Sequence, residues 1–114
     1  MNDEAGARNL VLEVQRNGRA ASVSVRGELD VSTAPELADR CRLLHAEGTL
    51  DVELDLEETS FLDSSGLRAL IGARHVFGDA GGNLRLTHPS EPVMRLLSIT
   101  GLTGYFSIED GRST

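Results

Sequence analysis

Two runs of alternating apolar residues meet at Asn17-Gly18, and that junction limits the possible folds more than any other feature of the chain. Leu10, Leu12 and Val14 alternate with Val11, Glu13 and Gln15, and between Ala20 and Leu29 the period resumes with Ala21, Val23 and Val25. Asn-Gly supplies the left-handed conformations that a two-residue hairpin turn needs, so an antiparallel pair is predicted. After Asp30 the period changes. Ala34, Leu37, Ala38, Cys41 and Leu44 fall at helical spacing, and Thr33 with Glu36 reads as a capping box with Pro35 in the first turn. A helix from about Ala34 to Glu47 follows, with Gly48 as its stop signal.

The rest of the chain alternates strand and helix. Thr49 to Leu56 places Leu50, Val52, Leu54 and Leu56 on one face and Asp51, Glu53 and Asp55 on the other, which is a strand with a solvated side. Glu57 to Asp63 reads as a loop. From Ser64, positions Leu67, Leu70, Ile71, Arg74 and Phe77 recur at three and four until Gly81-Gly82, giving a second helix. Asn83 to Thr87 is a short strand, Pro89 to Thr100 a third helix ended by Gly101, and Tyr105 to Glu109 a last strand. A hairpin followed by this alternation specifies one α/β domain. Its sheet is mixed and mostly parallel, of about five strands with the N-terminal one antiparallel, flanked by three or more helices on right-handed crossovers. Residues 10–110 form that domain, and residues 1–9 and 111–114 read as flexible ends.

A chain of 114 residues supports one hydrophobic core. It carries 11 basic and 18 acidic residues for a net charge of −7, and every basic residue is Arg. Such an acidic surface disfavours nucleic acid and anionic membranes as partners. No apolar run approaches the roughly 18 residues of a spanning helix, and the first nine residues are polar and acidic, unlike a secretory signal. A cytoplasmic location is expected. One cysteine, Cys41, allows no internal disulfide and no CxxC pair, and its place beside Leu37 and Leu44 predicts a buried thiol.

In a parallel sheet, function gathers beyond the carboxyl ends of the strands, where helix N-termini converge. Two segments fall there: Gly27 to Thr33, and Phe61 to Gly66. Asp63-Ser64-Ser65-Gly66 is the most pointed, with an acid and two hydroxyls at the start of a helix. Capping of free N–H groups is one reading. Acceptance of a phosphate, whose charge would face the positive end of the helix dipole, is the other. Hydrolase chemistry needs a base, and His45, His75 and His88 are not placed near Ser64 by spacing; the G-x-S-x-G elbow is also absent, since Leu62 precedes Ser64 by two. His45 and His75 fall late in helices, where a cation suits the dipole. Gly81-Gly82 ends a helix instead of opening one, so it does not read as a phosphate-cradling loop. No metal set and no cofactor are expected.

Taken together, Gly27-Glu28-Leu29-Asp30 with Thr33-Ala34, Phe61 to Leu67, Gly81-Gly82-Asn83-Leu84, and Val93 to Leu97 with Gly101-Leu102 resemble the STAS-domain anti-sigma factor antagonists. Four blocks in order span almost the whole domain. The resemblance implies a partner-switching protein that is not an enzyme: unphosphorylated, it binds an anti-sigma factor serine kinase and frees a sigma factor. Phosphorylation of the serine after the motif's aspartate, here Ser64, ends the binding, and a serine phosphatase reverses it. Asp30 matches the family's loop acid beside the acceptor. Asp30, Ser32, Thr33, Asp63, Ser65, Gly66 and Arg68 are the expected phosphosite and partner contacts. The alternative is a STAS scaffold subunit of a larger signalling or transporter-associated assembly.

Overall fold

The structure, a computed structural model, describes residues 9–110. The expected flexible ends, 1–9 and 111–114, lie outside the described residues apart from Asn9. The hairpin forms as the pattern dictates: β1 (Leu10–Asn17) pairs antiparallel with β2 (Ala20–Leu29), with Asn17 opposite Ala20 and Leu10 opposite Gly27. Gly18 turns the chain at φ 64°, a value natural only for glycine and a few small polar residues. Then follow α1 (Ala34–Ala46), β3 (Asp51–Asp55), β4 (Thr59–Leu62), α2 (Ser64–Asp79), β5 (Asn83–Thr87), α3 (Glu91–Thr100) and β6 (Ser107–Glu109).

The sheet has the order β1-β2-β3-β5-β6, with every pair parallel except the first. Its two faces differ as the alternation requires. Val23, Val25, Leu54 and Leu86 point to one side and are fully buried under Leu37 and Leu44 of α1 and Leu70 and Phe77 of α2. The opposite side is polar. There Arg85 lies 2.9 Å from Glu109 and 3.3 Å from Glu53, and Arg26 lies 2.6 Å from Glu13. The acids of β3 are thus the solvated face expected of them. The third helix packs on β4, where the Ser90 hydroxyl donates to the Thr59 carbonyl at 2.6 Å.

Two local expectations need correction. The segment read as a loop, Glu57 to Asp63, contains β4, which makes the sheet six-stranded. Its exposure runs buried, exposed, exposed, buried, so it carries no period of two. Tertiary pairing creates it: β2 is long enough to lie beside β3 with Ala20–Ser24 and beside β4 with Gly27–Leu29, across a register shift at Gly27/Glu28. The capping box is also absent. Thr33 is the N-cap of α1, but its side chain makes no cap hydrogen bond. The N–H of Glu36, which that cap would take, donates instead to the Thr33 carbonyl at 2.9 Å, and Ala34 N donates to the Asp30 carbonyl at 2.7 Å.

Candidate functional site

Both predicted segments arrive at one place. Strands β2 and β4 run parallel with Leu29 opposite Leu62, so the chain leaves them side by side, and Asp63 N donates to the Leu29 carbonyl at 3.4 Å. One exit leads through Asp30 to Thr33 into α1, the other through Asp63 directly into α2.

The first exit is tied by its own side chains. Oδ1 of Asp30 accepts from the N–H groups of Ser32 (2.9 Å) and Thr33 (3.1 Å). The buried Thr33 hydroxyl donates to the Glu28 carbonyl at 2.7 Å and accepts from Asp30 N at 2.9 Å. Asp30 and Thr33 therefore hold the loop closed on itself while Ser32 stays exposed.

At the second exit, Asp63 has the extended backbone of an N-cap, φ −114° and ψ −169°. Its Oδ1 accepts from Ser65 N at 2.9 Å and Gly66 N at 3.0 Å. Capping is thus carried by Asp63, and Ser64, the first residue of α2, is exposed with no side-chain hydrogen bond to any described residue. This separates the two readings of the tetrapeptide: the aspartate caps, and the serine hydroxyl is open to solvent. Gly66 is buried because α2 lies hard against β2 and β4. A β-carbon there would stand 2.4 Å from the Leu29 carbonyl oxygen and 2.5 Å from a Leu62 methyl group. Arg68, one turn into the helix, is exposed and has no ion pair with any described residue.

The sequence did not mark the apolar surface around this exit. Val31 in the first loop is 71% exposed and Phe61 at the end of β4 is 46% exposed. Their signal in the sequence is weak, since Phe61 falls in a segment with no strand period.

The histidines serve elsewhere. His45 meets the edge of Phe77, His75 Nε2 lies 3.3 Å from the Tyr105 hydroxyl, and His88 Nδ1 lies 3.8 Å from Asp55. Cys41 is buried as expected. Burial pushes its thiol up to about 11, with the Arg42 guanidinium acting the other way, so the thiol is held protonated in the core. No described helix is long and apolar enough to cross a membrane.

The same arrangement of sequence and fold recurs in known proteins. Residues 11–113 match the STAS domain family. The chain is 34% identical over 100 residues to an anti-sigma-B factor antagonist of Bacillus subtilis, covering 88% of this chain and 91% of that protein. It is 36% identical over 103 residues to one of Staphylococcus epidermidis, covering 90% and 95%. Among solved structures, an anti-sigma factor antagonist from Mycobacterium paratuberculosis superposes with a TM-score of 0.78 at 26% identity, over 88% of this chain and 85% of that one. By family match, by identity over nearly its whole length and by fold, the chain belongs to the STAS-domain anti-sigma factor antagonists.

Proposed function

We propose that this protein is a phosphorylation-switched antagonist: unphosphorylated, it binds an anti-sigma factor serine kinase and so releases a sigma factor, and phosphorylation of Ser64 ends that binding. A serine phosphatase restores the binding form. The observation that carries this reading is the division of labour at the start of α2, where Asp63 caps the helix and leaves the Ser64 hydroxyl exposed and unbonded. A phosphate can then be added without removing a cap or unfolding a turn.

The surroundings suit a switch in binding. Val31 and Phe61 offer apolar contact area on the two exits that flank Ser64. A phosphate of roughly −1.5 to −2 charge on Ser64 must be desolvated when a partner docks over it, and it meets repulsion from any facing carboxylate or nucleotide phosphate. Reversing an equilibrium from 99:1 to 1:99 takes about 5.5 kcal/mol. One like-charge contact desolvated in an interface costs several kcal/mol, so a single phosphate is of the right size. Asp30, Ser32, Thr33, Asp63, Ser65, Gly66 and Arg68 shape the contact surface in this reading, and no residue of it is assigned a catalytic role.

The test is incubation with the anti-sigma factor kinases of the same genome and ATP, with phosphopeptide mapping and binding measured before and after. Label on Ser64, absent from Ser64→Ala, with loss of kinase binding by Ser64→Asp, is the expected result. Label elsewhere, or undiminished binding by Ser64→Asp, overturns it.

A further inference from the structure

A groove of about 400 Å³ runs between α1 and α2, within the size range of small-ligand sites. Ala38 and Cys41 from one helix and Ala69, Gly72, Ala73 and Val76 from the other line it. Small residues on both helices leave the space open: a β-carbon on Gly72 would meet no atom within 4 Å. The end nearest the helix N-termini is lined by Ser65 and Arg68 on α2 and by Val31, Ala34 and Pro35 at the start of α1.

Charge is distributed unevenly along this trough. Arg42 also lines it, but its guanidinium is held by Asp39 on the exposed side of α1. Arg68 has no ion pair or hydrogen bond with any described residue. Arg68 and a serine hydroxyl therefore sit at one end of a largely apolar groove, with the Asp39-paired Arg42 further along its wall, on a domain whose net charge is −7. That is the complement of a ligand with a single anionic head and an aliphatic tail. An acidic peptide with several carboxylates would meet the domain's overall repulsion, whereas one carboxylate pairs with the one open guanidinium.

We propose that the α1–α2 groove binds a medium-chain fatty carboxylate, its head on Arg68 and Ser65 and its chain along Ala69, Gly72 and Ala73. The proposal goes beyond the phosphorylation switch and does not depend on it, while sharing Ser65 and Arg68 with the surface that reading assigns to the partner.

Titration calorimetry of the full chain with dodecanoate, kept below its micelle concentration, tests it, with dodecylammonium as the opposite-charge control. Saturable one-to-one binding of dodecanoate and no matching binding of dodecylammonium is expected. Arg68→Gln should weaken the carboxylate about tenfold. Gly72→Phe should abolish binding by filling the channel, at an exposed helical position where replacing glycine favours the helix. Circular dichroism and the melting temperature report whether that variant folds, and Ala38→Leu on the facing wall provides the same block if it does not. Absence of saturable binding, equal binding of dodecylammonium, an unchanged affinity in Arg68→Gln, or undiminished binding with the channel filled overturns the assignment.

Discussion

Gly66 rests against Leu29 so closely that a β-carbon added to the glycine would stand 2.4 Å from the leucine carbonyl oxygen. Backbone meets backbone here, so no side-chain rotation relieves the contact. Gly66→Ala is expected to destabilise the domain by about 1–3 kcal/mol, or to push the start of α2 away from β2. Urea denaturation measures the first, and shifts in the amide resonances of residues 29–31 and 63–67 report the second. A stability within about 0.5 kcal/mol of wild type, with unmoved resonances, contradicts the close approach.

Asp63 supplies the helix cap through one carboxylate oxygen shared by two N–H groups. Asp63→Ala should cost about 1 kcal/mol, and Asp63→Asn, which keeps an accepting oxygen, only a few tenths. For a domain of this size the alanine variant should melt about 4–8 °C below wild type. Equal melting temperatures for the two variants would show that the side-chain cap contributes little.

Thr33 is buried, and its hydroxyl satisfies both the Glu28 carbonyl and the Asp30 N–H. Thr33→Val preserves the shape and removes both hydrogen bonds, so a loss of about 1–3 kcal/mol is expected, with Thr33→Ser close to wild type. Hydrogen exchange at Asp30 N locates the effect: it should quicken in the valine variant and stay protected in the serine variant.

Cys41 gives a pH dependence whose sign follows from its environment. The folded protein holds the thiol proton more tightly than the unfolded chain, with the group moved from 9.0 to about 11 by burial. Its contribution is therefore complete below pH 9 and is lost as pH rises toward 11. The stability difference between wild type and Cys41→Ala should narrow by on the order of 2 kcal/mol across that interval. A constant difference would mean that the thiol reaches solvent.

Most of this architecture was legible in the residues because their periods are clean. The Asn17-Gly18 hairpin, the limits of β2 and β5, and the burial of Leu37, Cys41 and Leu44 on one helical face all follow from spacing. Strand β4 was not legible, since it exists by pairing with the far half of β2 and has no alternation of its own. Within the site, Asp63 and Ser64 were identifiable, but which of them caps was not: both residue types favour that position, and only geometry separates them. Thr33 misled for a related reason. Its spacing to Glu36 satisfies the capping pattern, yet Asp30 is placed to close the turn and the hydroxyl goes to Glu28.

The divided pairing of β2 has a mechanical consequence. On one side β2 pairs with β1 from Ala20 to Gly27; on the other it pairs first with β3, from Ala20 to Ser24, and then with β4, from Gly27 to Leu29, the β4 ladder being broken by a register shift at Gly27/Glu28. Opening the β4 ladder therefore does not require opening the β3 ladder, and the two can have different local unfolding free energies. The end of the sheet that presents Ser64 is thus joined to the central strands, among the described residues, through β2 alone, and hydrogen exchange in β4 can differ from that in β3.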